Sequence, residues 1–85
     1  MSKHGYHKTK IKKGQVGKLS KIFEEVNELK DAKKQKSKIM VLHELSDIIG
    51  AIDLYLKKDC KNKIKLKDLI KMNKITQRAF KNGYR

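Results

Sequence analysis

Every glutamate of this 85-residue chain falls at helical spacing within two short segments. Glu25 and Glu28 lie three residues apart in the first segment, and Glu44 and Asp47 lie three residues apart in the second. Residues three or four positions apart share one face of an α-helix. The spacing therefore predicts two helices with carboxylates on one face each, in a chain whose formal net charge is +14.

A polar, lysine-rich run separates the two segments and predicts a turn centred at Lys36. In an antiparallel hairpin about that turn, Glu28 lies level with Glu44. Glu25 lies level with Asp47, and the helical rise places the two levels about 4.5 Å apart. Carboxylates that face one another across one seam repel, and hard divalent cations with oxygen ligands relieve the repulsion. Mg²⁺ is the expected ion, and Mn²⁺ is its expected substitute.

The rest of the chain predicts an all-α fold. It has no proline and is rich in Lys, Leu and Ile, and apolar residues recur at helical spacing over residues 16–32, 37–57 and 66–80. The middle segment is apolar around much of its circumference, so we expect a central helix that is buried on more than one side. We expect two parts, a basic arm at 1–15 and a helical domain at 16–85. The helical domain is expected to complete a helical bundle by oligomerisation, as a dimer or tetramer.

Composition indicates which partners and which cellular compartment to expect for this chain. No apolar run reaches membrane-spanning length, and the polar N-terminus does not resemble a secretory signal. Cys60 is the single cysteine, which favours a reducing cytoplasm. The positive charge points to anionic partners, either free phosphates or nucleic acid, although lysines can also serve only to keep a small protein soluble.

Residues 24–28, EEVNE, and 44–47, ELSD, resemble the EExxE and ExxD signature of the MazG-like all-α nucleoside triphosphate pyrophosphohydrolase superfamily. Shorter stretches at 13–17, 47–52 and 76–85 are similar to small phage-encoded members. That resemblance covers residues 13–85. It implies an oligomeric helical bundle that hydrolyses a nucleotide between its α- and β-phosphates, in the host cytoplasm where a phage encodes it.

The resemblance also implies roles for individual residues. The metal ligands that match the signature are Glu25, Glu28, Glu44 and Asp47. The catalytic positions are Glu24 and Glu25, of which Glu24 contacts a second metal or activates water. Candidate phosphate contacts are Lys21, Lys74 and Arg78, and the substrate stays open among deoxynucleotides, ribonucleotides and alarmone-like nucleotides.

Each assignment has a plainer alternative. Helical carboxylates are commonly solvated groups that pair with lysine, as Glu25 could with Lys21. On a helical wheel Glu24 lies almost opposite the apolar stripe, which weakens its claim to the seam. Asp31 is expected to be exposed, and His43 is expected on the helix surface. The alternative function is an inactive or repurposed member that binds a protein or, less favoured, nucleic acid.

Overall fold

The structure, a computed structural model, describes residues 10–61, 63–81 and 83, without the side chain of Phe80. Three helices and no strand occur in those ranges: α1 at Leu19–Lys34, α2 at Lys38–Asp59 and α3 at Leu66–Lys81. The predicted all-α class is confirmed. The first nine residues of the basic arm lie outside the described residues. None of the three helices is long and apolar enough to cross a membrane.

The starts of α2 and α3 follow from local hydrogen bonds. Ser37 is the N-cap of α2, and its Oγ accepts a hydrogen bond of 3.2 Å from the Met40 amide, as serine commonly does at this position. Asp68 lies in the first turn of α3 and accepts a 2.9 Å hydrogen bond from the Lys65 amide. This contact satisfies an amide that the helix itself leaves without a partner.

The turn between α1 and α2 lies at the predicted residue. Lys36 adopts a φ of 58°, and its amide donates to the Lys33 carbonyl at 3.0 Å. The Gln35 amide donates to the Asp31 carbonyl at 3.1 Å, which closes the last turn of α1. The hairpin formed by α1 and α2 is the packed part of the chain.

Two glycines shape the segment before α1. Gly17 has a φ of 85°, a conformation that residues with a Cβ rarely adopt. A Cβ at Gly14 would collide with the backbone carbonyl of Ser20. Helix α1 consequently begins at Leu19, later than the predicted start at Val16.

The apolar stripe of α1 points away from the interior, contrary to the expectation that it packs. Phe23 is 65% exposed, and Leu19 and Val26 are also exposed. The buried residues of this helix are Glu24, Glu25, Glu28, Asp31 and Ala32. The described chain therefore buries the acidic face of α1 and leaves much of the apolar face exposed.

Helix α2 is likewise less covered than expected. Ile39, Leu42 and Ile49 are all more than half exposed, so burial on several sides does not occur within one chain. Helix α3 contacts α2 far less than α1 does. The radius of gyration is 14.7 Å, compared with about 12 Å for a compact domain of this length. The described residues of one chain do not form a closed bundle.

Candidate metal centre

Four carboxylates line the buried face of α1. Glu24, Glu25, Glu28 and Asp31 are each at most 4% exposed. Their positions follow the three- and four-residue spacing that places side chains on one helix face. The expectation that Asp31 is exposed is therefore wrong. Glu24 is also buried, and its position relative to the seam with α2 stays a prediction.

The physical reason is the chain that precedes α1. The Gly14 amide donates a 2.9 Å hydrogen bond to Glu24 Oε1, and Lys10, Ile11 and Lys12 border a cleft together with Asp31. Asp31 Oδ2 also accepts a 2.8 Å hydrogen bond from the Gln35 side-chain amide. Residues 10–14 thus lie against the face of α1 that carries Glu24 and Asp31.

Three of these carboxylates form a compact cluster. Glu24, Glu25 and Glu28 each offer one oxygen, and the three oxygens lie within 4.8 Å of one another. The Lys21 ammonium reaches into the cluster, 3.2 Å from Glu24 Oε1 and 3.0 Å from Glu25 Oε2. The alternative pairing of Glu25 with Lys21 is observed, but the carboxylates that it joins are buried rather than solvated.

Glu25 is incompletely satisfied within the described residues. Its Oε1 atom is buried and accepts no hydrogen bond. A buried acceptor without a partner costs about 1–3 kcal/mol, and more when it is charged. Carboxylate oxygens in such a cluster are the donor set that Mg²⁺ or Mn²⁺ requires, so these residues fit a divalent cation.

The acidic residues of the segment 44–47 lie partly in the interior and partly at the surface. Glu44 is completely buried. His43 Nε2 lies 3.3 Å from Asp47 Oδ2 on the outer part of α2, and His43 is exposed as expected. One ligand atom from each of His43, Glu44 and Asp47 lies within 4.8 Å of the others. The placement of Asp47 opposite Glu25 stays a prediction.

His43 is a candidate ligand that the sequence interpretation missed. The signal was its four-residue spacing from Asp47, which places both side chains on one face of α2.

The candidate phosphate contacts occupy different environments. Lys21 contacts the carboxylate cluster, whereas Lys74 and Arg78 are exposed on α3. A cleft of about 330 Å³ beside Asp31 is lined by four further lysines. The sequence does not distinguish them among its 23 basic residues. They are Lys10, Lys12, Lys30 and Lys34. This cleft places positive charge next to the buried acidic face.

Tyr55, on α2, forms a hydrogen bond that changes its pKa. Its hydroxyl donates a 3.1 Å hydrogen bond to Asp59 Oδ2. That hydrogen bond and the negative charge of Asp59 raise the pKa of Tyr55, because the phenolate would lose the bond and face a like charge. The raised pKa keeps the Tyr55 hydroxyl protonated at neutral pH.

The chain matches no model of a known protein family, no curated protein and no solved structure. Evidence about function therefore comes from its own residues. Those residues are the motif carboxylates, their burial and the cations placed around them.

Proposed function

We propose that this protein is a cytoplasmic, Mg²⁺-dependent nucleotide pyrophosphohydrolase that cleaves a nucleoside triphosphate to the monophosphate and pyrophosphate. The observation that carries the proposal is the burial of Glu24, Glu25 and Glu28 as one cluster, with a buried oxygen of Glu25 that accepts no hydrogen bond. Burying carboxylates is costly unless a cation compensates them. Burial of these carboxylates while apolar side chains stay exposed favours a functional role for the carboxylate charge.

The proposed ligands are Glu25, Glu28, Glu44 and Asp47. A bound Mg²⁺ would polarise phosphate oxygens and lower the pKa of water. Glu24 is the proposed base that takes the proton from the attacking water. Its Oε1 atom accepts a hydrogen bond from the Gly14 amide, which restricts the orientation of the carboxylate. A fixed base of this kind loses little entropy in reaching its reactive geometry.

The test is a nucleotide panel assayed for pyrophosphate and orthophosphate with Mg²⁺ and with a chelator. We expect equimolar monophosphate and pyrophosphate from at least one triphosphate, and no product when the metal is chelated. Release of orthophosphate, or turnover that persists in the chelator, would contradict the proposal.

The lysine-rich surface predicts a specific response to salt. Long-range attraction between the protein and a triphosphate is screened within about 10 Å at 0.1 M salt. Raising the ionic strength should therefore lower kcat/KM while kcat holds. Arg78→Glu should produce the same change at low salt if Arg78 lies on the path of the nucleotide. Equal falls in kcat and kcat/KM would instead indicate a contact made in the transition state.

A binding protein without activity is the second candidate, and the exposed apolar side chains of α1 and α2 favour it. Exposed apolar surface of this extent marks a contact with another protein or a second copy. No turnover for any nucleotide would support this candidate. Tight binding to RNA or DNA that weakens steeply with salt would identify a nucleic-acid module instead.

A further inference from the structure

The Lys21 ammonium lies between two carboxylates of the cluster. It lies three residues before Glu24 and four before Glu25, so its side chain follows the same face of α1. Its ammonium is within 3.2 Å of an oxygen from each of the two carboxylates, and its side chain is 20% exposed. The ammonium is thus partly sheltered and bridges both acidic groups.

The bridge leaves one oxygen of Glu25 unsatisfied within the described residues. Glu25 Oε2 contacts Lys21, but the buried Oε1 atom of the same carboxylate accepts no hydrogen bond in the described structure. A divalent cation would supply twice the charge of an ammonium and could contact both oxygens.

We propose that Lys21 is a tethered counter-ion that occupies this site without metal and that a divalent cation must displace. The proposal rests on the cation site of the proposed function. Lysine suits the role because its charge is compact and its four-carbon stem is flexible, so the ammonium can move to solvent. Its presence stabilises the buried carboxylates and lowers their affinity for metal. It also selects against monovalent cations, which would replace one positive charge with another.

The test is Mn²⁺ binding to the whole protein without nucleotide, followed by electron paramagnetic resonance of the free ion. Lys21→Met keeps an unbranched side chain and removes the charge. We expect it to bind Mn²⁺ about tenfold more tightly than the native protein, since the competing ammonium and its two charge-assisted pairs are lost. A substrate-binding or purely structural lysine predicts unchanged or weaker binding, and either result in a helical Lys21→Met protein would overturn the proposal.

Lys33→Met is the matched control. It removes the same charge from an exposed position on α1, about 18 Å along the helix from Lys21 by the rise per residue. We expect its Mn²⁺ affinity to stay within about twofold of the native value, because a distant exposed charge is screened. An equal gain in both variants would indicate a general effect of net charge and would overturn the specific role of Lys21.

Lys21→Arg keeps the test decisive if Lys21→Met does not fold. A guanidinium binds carboxylates through two parallel hydrogen bonds and is harder to displace. Mn²⁺ affinity should therefore fall in Lys21→Arg, and unchanged or tighter binding would overturn the proposal. Absence of Mn²⁺ binding in all variants would also overturn it. Tighter binding in Lys21→Met, alongside no pyrophosphate release from any nucleotide, would uphold the counter-ion and reject the enzyme.

Discussion

Glu28→Gln and Glu44→Gln should each lower turnover by about 100-fold or more, since a catalytic metal contributes several kcal/mol to the transition state. Glutamine preserves the size of the side chain and removes the charge that a hard cation needs from its ligand. Both native side chains are buried, Glu44 completely. Mn²⁺ binding should weaken in parallel with turnover, while the helical circular dichroism signal is retained.

Asp53→Asn is the control for this pair of variants. Asp53 is also a carboxylate of the hairpin, but it pairs with Lys57 at 3.2 Å on the outer part of α2. An exposed pair of this kind contributes little, so metal binding and turnover should both stay close to the native values. Native Mn²⁺ affinity in both glutamine variants would refute the metal site. An equal loss in Asp53→Asn would show that the effect is not specific to the cluster.

The sequence predicts the helices well because their signals are local. Ser37 caps α2, the lysine-rich run forms the turn at Lys36, and the three helices fall near the predicted ranges. The start of α1 differs from the prediction because Val16 continues the apolar period, whereas Gly17 adopts a positive φ that keeps the helix from starting there. Periodicity describes side chains, and it carries no information about such a backbone turn.

The sequence does not predict which face of α1 is buried. Apolar periodicity assigns the inward face to Phe23 and its neighbours, but burial depends on what lies opposite. In the described chain, residues 10–14 cover Glu24 and Asp31, and nothing equivalent covers Phe23. The spacing of Lys21 from Glu25 does not help, because it is equally typical of a solvated surface pair. A non-local contact such as that between Gly14 and Glu24 leaves no periodic signal.

The exposed apolar residues lead to the second major prediction, that two or more copies associate. Leu42 and Ile49 lie seven residues apart on one face of α2, and Phe23 is exposed on α1. We expect at least a dimer at micromolar concentration by sedimentation equilibrium, because water-exposed surface of this kind favours association. The apolar circumference of α2 predicts a contact near Ile48, Ile52 or Leu56, but Leu56 is buried within the chain. Ile48 and Ile52 are half-buried, whereas Leu42 and Ile49 are exposed, so we expect the contact to centre on Leu42 and Ile49.

Leu42→Glu combined with Ile49→Glu should convert the assembly to a monomer, since burying an unpaired charge at an interface is strongly unfavourable. Lys63→Glu, at an exposed position in the loop after α2, adds negative charge away from both apolar faces and should leave the assembly intact. A native protein that sediments as a monomer across this concentration range would contradict the prediction.

Salt distinguishes self-association from binding to a polyanion. Each copy carries a formal net charge of +14, so two copies repel one another at low ionic strength. Added salt screens this repulsion and leaves the apolar contact in place, because charges more than about 8–10 Å apart interact weakly at physiological salt. The dimer should therefore become tighter between low and physiological salt. Binding to nucleic acid has the opposite dependence, since it releases counter-ions and weakens as salt rises. A dimer that dissociates as salt increases would show that charge pairs, and not Leu42 and Ile49, hold the copies together.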